Sequence, residues 1–181
     1  MITLRKTLIE PSATRRVLLV WLTSCLCACA YGGSDQPTPE AAKRFLKLRG
    51  YEFDNKSFFA AAAAGDEMAV NGFLSAGMNP NVKDQDDDTA LTAAAASGDL
   101  IIVNALIKGG ADVNAKGRNN WTALLLALQD KRDDEVVQIM LNKGADPRIK
   151  DVDGVNAAGW AAKNGRGNLI MILQAAEKNS Q

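Results

Sequence analysis

Three clusters in this chain hold residue types that could do chemistry. Cys25, Cys27 and Cys29 are its three cysteines, packed into the stretch CLCAC. Thiolates at such short spacing suit a soft metal ion. Asp84, Asp86, Asp87 and Asp88 form the run DQDDD. Alternating acids suggest a calcium loop, but such a loop needs a glycine after its acids and a glutamate at its twelfth position. Thr89 and Ala95 stand there instead, so the run reads as a solvated acidic loop. Asp133, Asp134 and Glu135 could supply a carboxylate pair for acid/base work, yet they follow Lys131 and Arg132 directly and read as a hydrated charge cluster. The chain has no histidine, which removes His-based triads, most catalytic zinc sites and the usual pH switch. No phosphate-cradling glycine loop or nucleophile elbow is present. The expectation is a protein with no catalytic residue, no metal and no cofactor.

The setting of the cysteines points to targeting rather than metal. Arg5, Lys6, Arg15 and Arg16 make a positive region, and Val17 to Leu26 is a short apolar core followed by small residues. This is the layout of a secretory signal, too short for an ordinary transmembrane helix. Leu26 to Cys29 resembles a bacterial lipobox, with Cys29 as the acylated residue; Cys25, ending LTSC, is the alternative, and plain cleavage before Tyr31 is a third reading. Thr14 to Leu19 also resembles a twin-arginine export signal. Each reading places the chain in the envelope of a Gram-negative bacterium on the periplasmic side, as an outer-membrane lipoprotein or a soluble periplasmic protein.

The 181 residues carry 21 basic and 21 acidic side chains, so no bulk charge points to nucleic acid. Without residues 1–29 the balance becomes 17 basic to 20 acidic, which argues against holding an anionic membrane by charge alone; acyl chains would hold it far better. Residues 30–38 are rich in Gly, Ser and Pro and read as a tether. A capping helix is expected over 39–52. Thr38 can cap it, Pro39 suits its first position and Gly50 can stop it. Its apolar stripe is Ala41, Ala42, Phe45, Leu46 and Leu48, and its other side is basic through Lys43, Arg44, Lys47 and Arg49. That side reads as solvated, or as a contact for lipid headgroups near the anchor.

Beyond residue 52 the chain repeats. Gly77, Gly110 and Gly144 each end an apolar run, at spacings of 33 and 34. Thr89, Thr122 and Asn156 keep the same step, as do Gly65, Gly98, Lys131 and Gly165. The extra residue falls near Lys131 to Glu135. Each unit reads as two short helices and a loop. The first helix carries small pairs such as Ala61-Ala62 and Ala94-Ala95. The second carries Ile102-Val103 with Leu106-Ile107, or Val136-Val137 with Met140-Leu141, an i, i+1, i+4, i+5 face.

TALTAAAASGD and GGADVNAK are the best pieces of a pattern that resembles the ankyrin repeat, from Phe53 to about Ala176. Ala90, Ala123 and Ala157 replace the family's frequent proline, and Asp87 and Asn120 replace its loop glycine, which Gly154 keeps. The resemblance implies an all-α repeat. It would be an ankyrin solenoid of about four helix-turn-helix-hairpin units (about 53–84, 85–117, 118–151 and 152–178, within a domain of 53–178) behind the capping helix. Gln174, polar in the last unit, fits a terminal cap. The resemblance also implies a monomeric, non-enzymatic module that binds another protein through hairpin tips and first-helix ends. Carried over position by position, the first tip offers Gln85, Asp86 and Asp88, with Ala96 and Ser97 on the helix. The second offers Arg118, Asn119 and Trp121 with Gln129 and Asp130. The third offers Val152, Asp153 and Val155 with Lys163 and Asn164. Trp and Arg are frequent binding hot spots, so Trp121 is the candidate anchor; the alternative is that it packs over its own hairpin. Trp160 reads as core. Two roles fit, an envelope adaptor and an immunity-type inhibitor of a toxic enzyme.

Overall fold

The computed structural model describes residues 37–129 and 134–179. The signal segment, Cys25, Cys29, most of the tether, Asp130 and Asp133 lie outside the described residues. Those from Thr38 onward belong to one compact unit. Its regular structure, among the described residues, is helical apart from one bridge between Lys83 and Thr89.

Helix α1 runs Pro39–Leu48, α2 Asn55–Ala63, α3 Glu67–Ser75, α4 Ala90–Ser97 and α5 Leu100–Lys108. After a short 3-10 turn at Arg118–Asn120 come α6 Ala123–Gln129, α7 Asp134–Asn142, α8 Ala157–Lys163 and α9 Gly167–Asn179. Helices α1 to α6 and α8 each begin where a short polar side chain takes an orphan backbone N–H. Thr38 accepts from Ala41 at 3.3 Å, Asp54 from Ser57 at 2.7 Å, Asp66 from Ala69 at 3.0 Å, and Asn156 from Gly159 at 3.0 Å. Thr89 and Thr92 form a reciprocal capping box, at 3.2 and 2.8 Å.

The first helices α2, α4, α6 and α8 pack in one row, and α1, α3, α5 and α7 pack in a second. Helix α1 therefore stands where a second helix of a preceding unit would stand. Glycine lets this row close up: a Cβ at Gly72 would lie 3.2 Å from Leu46 and Phe45 of α1, and one at Gly109 would lie 2.5 Å from Leu74. Small residues do the same in the first row, where Ala61, Ala62, Ala94, Ala95 and Ala161 are buried. Phe73 sits in an aromatic cluster under α1, with ring centroids 5.6 Å from Phe58, 6.0 Å from Tyr51 and 6.1 Å from Phe53.

Three expectations need correction. The capping helix ends at Leu48, not 52, because Gly50 turns left-handed at φ +84°. Leu48 does not belong to the apolar stripe: it is 88% exposed, two residues and so 200° round the helix from buried Leu46. Leu141 is only half-buried, whereas Leu106 is fully covered.

The glycine phrase works as a two-part device. Gly77, Gly110 and Gly144 close their helices at φ near +90°, a region that costs other residues. The carboxyamide or carboxylate two residues on then holds its own turn. Asn79 accepts from the N–H of Asn81 at 2.9 Å, Asp112 from Asn114 at 2.9 Å, and Asp146 from Arg148 at 3.0 Å. The next asparagine reaches forward. Asn81 accepts from the N–H of Asp112 at 2.8 Å and donates to the carbonyl of Gly110 at 3.4 Å; Asn114 does the same to Asp146 and Gly144 at 2.8 and 3.1 Å. At the third position stands Arg148, which pairs with Asp146 at 2.9 Å instead.

Candidate functional site

The hairpin tips are built on a second recurring turn. Asp84, Gly117 and Asp151 each donate their N–H to a carbonyl four residues on, in Asp88, Trp121 and Val155, at 2.9, 2.8 and 3.1 Å. The turn needs a left-handed residue before its end. Asp87 at φ +65°, Asn120 at +58° and Gly154 at +76° supply it, Asp and Asn being the side chains that best tolerate that region. The carboxylates of Asp84 and Asp151 also tie the turn from inside, each accepting two loop N–H groups at 2.8–3.0 Å.

Several residues expected to face a partner also join one tip to the next. The Asp88 carboxylate accepts from the N–H of Arg118 at 3.3 Å, and the Arg118 guanidinium pairs with Asp86. The Asn119 carbonyl accepts from the N–H of Val152 at 3.1 Å. A Cβ on Gly117 would lie 2.5 Å from the Asp88 carboxylate, so the glycine makes room for this link. Asn164 donates to the carbonyl of Leu128 at 2.8 Å and is half-buried.

Trp121 is half-buried, and its ring centroid lies 4.8 Å from that of Trp160 at an interplanar angle of 57°. Trp160, read from the sequence as core, keeps one side open. Its indole N–H donates to Asp151 at 2.7 Å, and Lys163 lies 4.9 Å from its ring centroid. Burial pushes the Asp151 carboxyl up, but the N–H groups of Val155 and Asp153 and the Trp160 indole outweigh it and hold the group below the usual carboxylate range. The two tryptophans, Lys163 and the tip residues Val152 and Val155 thus gather at the C-terminal half of the face, with Val152 62% exposed.

Along the first helices the face changes in grain. Equivalent positions read Ala60, Ala93, Leu126 and Trp160 in one column, and Ala63, Ala96, Gln129 and Lys163 in the next. The four alanines are exposed. The surface is therefore smooth over α2 and α4 and bulky over α6 and α8. Gln85, Asp153, Gln129, Lys163, Ala96 and Ser97 are exposed where the sequence reading placed them.

The sequence reading missed the residues that hold α6 and α7 to the last unit. Arg166 is only 6% exposed; it donates to the carbonyl of Ala127 at 2.8 Å and pairs with Asp134, which also accepts from Asn168. The Arg166 guanidinium holds the Asp134 carboxyl below its ordinary range. Together with Asn164, Arg166 satisfies the last carbonyls of α6, which a left-handed glycine serves after α4 at Gly98. Arg166 is a single departure in one unit, so no column marked it.

Among the described residues no group of three His, Cys, Asp or Glu is placed to hold a metal ion, and no helix is long and apolar enough to cross a membrane. A comparison with curated proteins finds no match. Residues 57–151, more than half of the chain, match the family described as ankyrin repeats in three copies, and the chain belongs to the ankyrin repeat family.

Proposed function

We propose that this protein is an envelope lipoprotein, acylated at Cys29, that binds another protein through the C-terminal half of its hairpin and first-helix face. Ankyrin repeats are generally protein-interaction modules. The observation that carries the reading is the open Trp121–Trp160 pair with Lys163 and exposed Val152 beside it. Aromatic rings half-covered by a rigid scaffold offer large contact area at low ordering cost, and such residues dominate binding energy. Trp121 packs on Trp160 of the neighbouring unit rather than over its own hairpin, and it is only partly buried there.

Photo-crosslinking in living cells tests this. A photoreactive residue replaces Val152 in one strain and Trp121 in another, with Met171 on α9 as control. One dominant adduct at the tip positions and none at Met171 supports the reading. An adduct with a structural envelope protein identifies an adaptor; one with an enzyme whose activity the purified protein blocks identifies an inhibitor. Equal adducts at all three positions overturn it.

A further inference from the structure

We infer that the outer side of α1 rests on an anionic phospholipid surface and so sets the orientation of the repeat stack on its membrane. The inference rests on the reading of Cys29 as an acylated anchor.

Arg44, Lys47 and Leu48 stand at i, i+3 and i+4 and so share one side of α1. All three are exposed, Leu48 to 88%. The other cation of the helix and the arginine that follows the helix are already engaged. Lys43 pairs with Glu40 at 3.2 Å and lies 5.3 Å from the Phe53 ring centroid, and Arg49 pairs with Asp66 at 2.6 Å. Arg44 and Lys47 are in no ion pair among the described residues. The inner side of α1, through Ala42, Leu46 and Phe45, is what packs on the stack. The outer side has no work in the fold, yet it presents a large apolar side chain flanked by two free cations.

The chain's own arithmetic says what covers it. Eight residues lie between Cys29 and Thr38, and the nine steps along the chain reach at most roughly 30 Å fully extended. An acyl chain on Cys29 therefore keeps α1 close to the lipid headgroups. The mature chain is net acidic by 17 basic to 20 acidic groups, so charge alone would not bring it to the membrane. Once it is anchored, two local cations and one leucine suffice to choose which side faces the lipid. The cations meet the phosphates and Leu48 enters the headgroup boundary.

The test uses the full chain, processed and acylated, reconstituted in vesicles of phosphatidylcholine alone or mixed with phosphatidylglycerol. All three native cysteines lie at positions 25, 27 and 29, so a dye on Leu48→Cys is the single label in a chain acylated at Cys29. Met171→Cys, at an exposed position on α9, is the control. Flotation reads the anchor, and quenching of the dye by lipid-attached spin labels reads the contact. Each Lys or Arg near an anionic surface shifts occupancy about fivefold. Quenching at position 48 in the mixed vesicles, absent at 171 and abolished by Arg44→Glu with Lys47→Glu, is the expected result. Flotation with equal quenching at both positions overturns the inference and leaves the anchor standing. A chain that does not float overturns both.

Discussion

Asn81 and Asn114 each make one acceptor and one donor bond to the turn of the following unit, and nothing about their residue type distinguishes that role from holding their own turn. Replacing Asn114 with Ala is expected to cost about 1 kcal/mol or more, because the Asp146 N–H and Gly144 carbonyl lose their partner together. Arg148→Ala, which removes a half-exposed ion pair, should cost less than about 1 kcal/mol. Urea unfolding of the two variants checks the order, and a larger loss at Arg148 would contradict the forward-reaching role. The carboxylates make a second prediction. Asp134 is held low by Arg166, and Asp146 by Arg148. Burial opposes the lowering at Asp66, but Arg49, the Ala69 N–H and Tyr51 outweigh it. Unfolded, such groups titrate near about 3.9. As pH falls the unfolded chain takes up protons first. Stability is therefore full above about pH 4 and is lost as pH falls through the lower folded values. With no histidine in the chain, melting temperature should stay level from about pH 5.5 to 8 and drop below about 4. Asp134→Asn should shrink the acid drop.

At the scale of the helix, the second-helix faces were legible because their i, i+1, i+4, i+5 pattern survives packing: Ile102, Val103 and Leu106 are fully covered, as are Val136, Val137 and Met140. Leu106→Ala should cost ~2–5 kcal/mol in a thermal melt. Leu141→Ala should cost less, since its side chain is half-open; equal losses would mean that Leu141 is packed as tightly as Leu106. Leu48 was misread because a run rich in apolar residues hides a two-residue step that takes a side chain to the far side of the helix. The fate of Trp121 was not legible at all. It depends on Trp160 lying opposite it, and that follows from the offset between units rather than from either residue's neighbours in sequence. The tip residues Asp86, Asp88 and Arg118 stand at adjacent tips and also pair with one another. Exposure follows from the repeat register; pairing between adjacent tips does not.

Across the whole molecule the units differ in how much they bury. Helices α4 and α5 bury nine residues between them, while α8 buries Ala157 and Ala161 alone and α9 adds Leu169 and Leu173. Stability in a stack is a sum of unit and neighbour terms, so amide exchange in α8 and α9 should outpace that in α4 and α5. Protection of α9 equal to that of α5 would show the stack opening as one body instead. Met171, 75% exposed, should accept Lys within about 0.5 kcal/mol. The tryptophan pair gives this fraying a voice. Trp121 and Trp160 are the two tryptophans among the described residues, and they touch across the seam between the third and fourth units. Their coupled near-ultraviolet circular dichroism is a built-in gauge of that seam, and it should fade on heating before the helical signal does.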